Sequence, residues 1–132
     1  MLVVDASVAV LWTLEQRGSD RAAALAGEGG LIAPSLIVAE IGNAVWKAVQ
    51  RGDLPREHAA TAVEIALGPL HELKPAEELR GRALDLAIEV KHPIYDCFYL
   101  ALAERERVPL VSADERLLAK RRALKRIELR KL

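Results

Sequence analysis

The chain has 132 residues, 52% hydrophobic and 29% charged, with 19 lysines and arginines against 19 aspartates and glutamates. One globular domain over residues 1–132 with room for a real core is expected, and a bulk basic surface for nucleic acid is excluded. The single cysteine, Cys97, excludes an internal disulfide and a cysteine-built zinc site.

The chain opens MLVVDASVAVLW, apolar but without a basic leader and with an early aspartate, so it does not read as a signal peptide. No apolar run reaches membrane-spanning length, and a soluble, cytoplasmic protein is expected. The β-branched run Leu2–Val4 predicts a buried strand, and DAS after it a capped helix over Ser7–Gln16. Ser19–Ala26 predicts a second helix, closed by Gly27, Gly29 and Gly30, and Leu31–Ala33 a second strand. Pro34-Ser35 opens a long helix through Gln50, stopped by Gly52. Leu54-Pro55 starts another to about Leu67, ended by Gly68-Pro69. Leu70–Leu73 predicts a short strand and Ala76–Val90 a helix; a KHP turn leads into a helix over Ile94–Glu106. Val108–Val111 is the third clear strand, SADERLLAKRR a helix and Arg126–Leu129 a final strand. Strands alternating with helices imply an α/β fold with a parallel sheet covered by helices, in which ligands bind beyond the carboxyl ends of the strands.

Charge is unevenly spread. From Glu115 to Leu132 there are eight basic residues against two acidic ones. This tail reads either as a solvated last helix or as a basic patch that touches phosphates or an acidic partner.

Three of the six aspartates stand at informative places. Asp5 follows the first strand, Asp114 follows the third, and Asp96 opens the apolar helix PIYDCFYLALA. Each alone reads as a helix cap; Ser112 and Glu115 even have capping-box spacing around Asp114. Glu40 is different. In SLIVAEIGNAVW it is placed mid-helix among Leu36, Ile37, Val38, Ile41 and Val45, where no cap is needed, with Asn43 on the same face. It either snorkels to water or serves a site.

Together the four acids suggest one cluster at the carboxyl edge of the sheet. Carboxylates at close range repel, and some take up protons unless a cation joins them. Mg²⁺ or Mn²⁺ favours such oxygen ligands, and Ser7, Asn43 and Ser112 add neutral oxygens. The chemistry that suits this set is phosphodiester hydrolysis by a metal-activated water. His58, His71 and His92 have no catalytic spacing, and His92 beside Pro93 reads as a turn residue. Tyr95 and Phe98 read as packing residues.

VVDASVAVLW, PSLIVAEIGNAVWK, HPIYDCFYLALAE and PLVSADERL, in that order, resemble the PIN domain, and more narrowly the VapC-type toxin ribonucleases. The likeness runs from Leu2 to about Leu118. It implies a three-layer α/β/α sandwich and an acidic Mg²⁺ or Mn²⁺ site made by Asp5, Glu40, Asp96 and Asp114. Ser112, Ser7 and Asn43 match the family's small polar positions around those acids. It implies endonucleolytic RNA cleavage leaving a 5′-phosphate, a homodimer, and inhibition by a VapB-type antitoxin. Trp12 reads either as an anchor in the antitoxin groove or as core, and Trp46 as core or dimer packing.

Three other readings compete: a PIN-fold nuclease for RNA processing or DNA/flap cleavage without an antitoxin, a receiver-type signalling domain, and a non-enzymatic antitoxin-binding module with a vestigial site. The receiver reading lacks an aspartate after LIAPS and a strand-end lysine after PLVS.

Overall fold

Short aliphatic runs form the strands of the computed structural model, which describes residues 1–132. They are β1 (Leu2–Val4), β2 (Leu31–Pro34), β3 (Leu70–Lys74), β4 (Leu110–Ser112) and β5 (Leu129–Lys131). All pair in parallel in the order β3-β2-β1-β4-β5. The helices are α1 (Ala6–Ala9), α2 (Ser19–Ala26), α3 (Ile37–Gln50), α4 (Ala59–Leu67), α5 (Arg80–Val90), α6 (Ile94–Glu106) and α7 (Glu115–Leu118). None is long and apolar enough to cross a membrane.

The strand alternation divides the core. Val3, Ile32 and Leu110 face a large cluster that includes Ile37 and Ile41 of α3 and most of buried α6. Val4, Leu31 and Val111 face a smaller one with Val8, Leu11, Ala22 and Leu25, the last two from α2. The result is the expected three-layer α/β/α sandwich. Its edges carry charge: β3 exposes His71 and Glu72, and β5 exposes Arg130 and Lys131, which discourages strand addition.

The chain order places a switch point between β1 and β4. From β1 the chain moves outward through β2 to β3, then crosses back to β4 on the other side. Val4 is in register with Val111, so the residues just beyond both strands share one crevice.

The regular elements depart from expectation at their ends. The first helix is cut to Ala6–Ala9 and continues as a 3₁₀ turn over Val10–Trp12 rather than reaching Gln16. Pro34 belongs to β2, and α3 starts at Ile37; Ser35 instead accepts the Ala76 N–H through Oγ at 3.0 Å. The stretch before α5 is a 3₁₀ turn, Ala76–Glu78. The tail is not a charged helix. Only Glu115–Leu118 is α-helical, a 3₁₀ turn follows at Arg121–Ala123, and the chain ends as edge strand β5, three residues later than expected. Helix α6 matches Ile94–Glu106, but Asp96 is its third residue and not its cap. Val38 and Trp46 are 42% and 57% exposed and do not belong to the core.

Helix α6 ends on Arg107 with φ 57°, a left-handed conformation that costs an L side chain about 1 kcal/mol relative to glycine. Arg107 is exposed. Arg107→Gly is expected to stabilise the protein by ~0.5–1 kcal/mol, read as a higher urea midpoint at unchanged m-value; a lower midpoint would contradict the strained cap.

Candidate acidic active site

Asp5 leaves β1 in extended conformation and caps α1, its Oδ1 accepting the Val8 N–H at 3.3 Å. The cap predicted from sequence is present, but it is only part of the role. Asp5 is 3% exposed, and no basic side chain meets it. Two serines hold it instead. Ser7 Oγ–H donates to Oδ1 at 2.5 Å, and Ser112 Oγ–H donates to Oδ2. Each serine also accepts an amide: Ser7 from Ala113 N–H at 2.9 Å, and Ser112 from Asp114 N–H at 3.0 Å. A hydroxyl has one proton and two lone pairs, so both serines are oriented with their protons on the carboxylate. The ends of β1 and β4 are thereby laced together through Asp5. Ser112 is not a helix cap. Asp114 takes that place, its Oδ1 accepting the Arg116 N–H at 2.9 Å.

Glu40 lies in the first turn of α3, half-buried, not in the helix middle. Its Oε1 accepts the Tyr99 hydroxyl at 2.6 Å. Tyr99 is fully buried in α6. Asp96, in the first turn of α6, meets His92 Nε2 through Oδ2 at 2.5 Å. His92 is therefore more than a turn residue; it is buried and addresses the third acid. Tyr99 and His92 are the two partners the sequence reading missed. Their signals were faint: a tyrosine inside an apolar run, and a histidine four residues before an aspartate.

The acids feel one another. Burial drives the Asp5 carboxyl up to about 7; its hydrogen bonds from Ser112, Ser7 and Val8 oppose this and the Asp96 charge adds to it. Burial also raises Glu40, opposed by Tyr99 and reinforced by Asp96. Burial, then the charge of Glu40 and the hydrogen bond to it, push the Tyr99 hydroxyl far up, so it stays a donor. Cys97 is driven to about 11 by burial and then by Asp96, which leaves it a thiol.

Asp5, Glu40 and Asp96 are thus brought into one electrostatic unit, with Asp114 beside it through the Ser112 link. Asn43 is exposed, one turn beyond Glu40, on a groove of ≈ 500 Å³ also lined by Ser7, Glu40, Lys47 and Tyr95. Trp12 does not line this groove. Its Nε1–H donates to the Ala22 carbonyl at 2.7 Å, and its ring packs on both core clusters. Tyr95 is 62% exposed and is not a packing residue, whereas Phe98 does pack on the core.

The donor set suits a hard, oxygen-seeking cation: one buried and three half-buried carboxylates and several hydroxyls, with His92 on Asp96 as the one basic side chain bonded to them. Glu40 Oε2, Asp96 Oδ1 and Asp114 Oδ2 carry no hydrogen bond within the chain. The set is not a closed cage, since no three acid, histidine or cysteine side chains are grouped to hold an ion as they stand.

A family model described as PIN domain matches residues 2–123. The chain is 34% identical over 127 residues to Ribonuclease VapC3 of Pyrobaculum aerophilum, covering 93% of this chain and 96% of that one. The crystal structure of PAE2754 from Pyrobaculum aerophilum superposes with a TM-score of 0.71 at 26% identity, over 97% of this chain and 89% of that one. VapBC2 from Rickettsia felis, solved bound to a DNA fragment from its promoter, shares the fold at a TM-score of 0.68 and 16% identity, over 99% and 98% of the two chains.

The raised Asp5 carboxyl has a consequence for stability. Its folded value, about 7, lies above the ordinary 3.8. Between these values the folded chain keeps a proton that the unfolded chain has lost. Stability of the cation-free protein therefore falls as pH rises from about 4 to 7. Asp5→Asn is expected to flatten that slope and to add on the order of 2–4 kcal/mol at pH 8 in EDTA. Urea unfolding of both proteins from pH 4 to pH 8 checks this, and parallel pH profiles would show that Asp5 is not the source.

Proposed function

The chain belongs to the PIN domain family, and from that premise we propose that it is a divalent-cation-dependent endoribonuclease acting as the toxin of a VapBC-type toxin–antitoxin pair. The observation that carries the reading is Asp5, buried at the β1/β4 switch point with no basic side chain bonded to it and coupled through Asp96 to Glu40. Four acids with no lysine or arginine paired to them are poorly suited to bind a phosphodiester by themselves, because they repel it. They suit a site whose positive charge arrives with a cation.

Asp5, Glu40, Asp96 and Asp114 would hold Mg²⁺ or Mn²⁺. When bound, the ion lowers the pKa of a water and offsets charge developing on the phosphoryl oxygens. The chain's own part is placement. Ser7 and Ser112 fix both oxygens of Asp5. Tyr99 fixes one oxygen of Glu40 and leaves the other free. His92 does the same for Asp96. No histidine base is required, and His58 and His71 form no hydrogen bond or ion pair with any of the four acids.

The toxin role rests on likeness to a protein named Ribonuclease VapC3 over nearly the whole of both chains. A VapB-type antitoxin as partner, an RNA substrate and a homodimer are part of the same proposal; the name of that relative supports the RNA substrate and the VapBC2 neighbour the antitoxin. The apolar surface between α3 and α4, with Trp46 at its edge beside Val45, Val49 and Val63, gives a protein partner somewhere to sit.

Purified protein incubated with a mixed cellular RNA pool is expected to cut in Mg²⁺ or Mn²⁺ and not in EDTA. Asp5→Asn and Asp96→Asn are each expected to lower cleavage at least ~10³-fold while the circular dichroism spectrum is kept. Full activity in EDTA, or in either variant, would rule out the acidic site as the catalyst.

A further inference from the structure

We propose that the groove between α1, α3 and the start of α6 seats an unpaired base of single-stranded RNA beside the scissile phosphate, with Tyr95 as the stacking face and Lys47 as the cation for an adjoining phosphate. This rests on the nuclease reading and adds to it the part of the chain that grips the substrate.

The groove begins at the acids. Ser7 and Glu40 are members of the site and also line it. Its volume of ≈ 500 Å³ lies within the range of small-ligand sites. Alanines, Ala39 and Ala44 among them, keep its wall low and flat, a shape suited to a planar ring.

Tyr95 stands at its rim. The chain has only five aromatic residues, two of them tyrosines. One tyrosine is wholly buried, while Tyr95, directly before Asp96, is left 62% exposed. Core packing does not account for an aromatic ring kept in water beside an acidic cluster. Stacking on a base does, and it works for unpaired bases because only they offer a free face.

Lys47 supplies the charge. It is seven residues after Glu40 on α3, on the same face and about 10 Å along the axis. It is exposed and forms no ion pair with any carboxylate of the chain. A strand lying in the groove would place one phosphate at the acids and meet a cation further on. Asn43, between Glu40 and Lys47, has an amide with no partner in the chain and is free to meet a base edge. The groove beside Trp46 differs: valines and alanines make up most of its lining, with Gln50 and Arg56 as its polar residues, and no acid of the site lines it, which suits a protein partner better.

The test uses the full chain with Asp114→Asn to stop cleavage, in Mg²⁺, and a fluorescein-labelled random 12-mer RNA read by anisotropy. Tyr95→Ala is expected to weaken binding ~5–100-fold, with Tyr95→Phe restoring most of the loss, since stacking is worth roughly 1–3 kcal/mol per base. Lys47→Ala is expected to reduce the slope of log K against log salt by ~0.7, and Lys47→Arg to restore it. An RNA duplex of the same length should bind more weakly and ignore Tyr95. Wild-type-like affinity and salt slope in Tyr95→Ala and Lys47→Ala would overturn the groove, assign it to a protein partner and leave the nuclease reading standing. Equal sensitivity of the duplex to Tyr95→Ala would also overturn it. If the unsubstituted chain neither binds nor cuts RNA, the groove and the nuclease reading fall together.

Discussion

A carboxylate buried to 3% exposure without a countercharge is the constraint on which the rest of this structure depends. Isolated burial of a charge costs several kcal/mol, and proteins usually meet that cost with an arginine or lysine. Here the answer is two serine hydroxyls and a helix N-terminus. Neutral donors satisfy the oxygens but leave the charge, so the Asp5 carboxyl rises to about 7. The crevice is thus left hungry for a proton or a cation. An arginine in the same place would have made a stable, inert ion pair.

Helix α6 makes the rest of the cluster possible. It is buried on nearly every side, from Cys97 through Ala103, and runs against β1, β2 and β4. Its first turn carries Asp96 and its second carries Tyr99, so one rigid element supplies a carboxylate and also the donor that aligns Glu40 on α3. The far end is tied to α5 by Arg82, which grips Glu104 through Nε and Nη2. Groups mounted on packed helices and strand ends lose little further freedom when a ligand arrives.

How much of this was legible in the sequence depends on what each residue was answering to. β1, β2 and α6 were readable because their apolar runs are dictated by burial on both faces. Asp5, Glu40, Asp96 and Asp114 were readable because a polar residue at the edge of such a run needs a reason. Helix ends were less readable. DASVAVLW has helical composition throughout, yet the chain tightens to a 3₁₀ turn after Ala9, and Trp12 bonds to the carbonyl of Ala22 on α2. That is a tertiary decision. The same holds for the tail, where local helix-forming residues yield to pairing of Leu129 with Leu110. Tyr99 and His92 escaped because their polar atoms matter only through partners on other elements or across a turn. Tyr95 was misassigned for the opposite reason: sequence shows that it is aromatic, and not that the helix turns it to water.

The tail's final place also changes what its charge means. As a solvated helix, eight basic residues would have been a diffuse surface feature. Instead two of them, Arg130 and Lys131, are fixed in β5 beside β4, in register with Val111 and Ser112. Arg130 and Lys131 pair with Glu128 and Glu115, exposed contacts that cancel little of the field. Arg116, Lys120, Arg121, Arg122, Lys125 and Arg126 make no ion pair. A chain of zero net charge is therefore unevenly charged, with Asp5 and Asp114 just beyond β1 and β4 and Arg130 and Lys131 on the neighbouring strand β5. For a polyanion this arrangement does two opposite things at once. Exposed cations draw phosphates in over about a Debye length, whereas acids hold them off unless a divalent ion offsets their charge. Under the proposed function, attraction and chemistry would thus fall to separate groups of side chains.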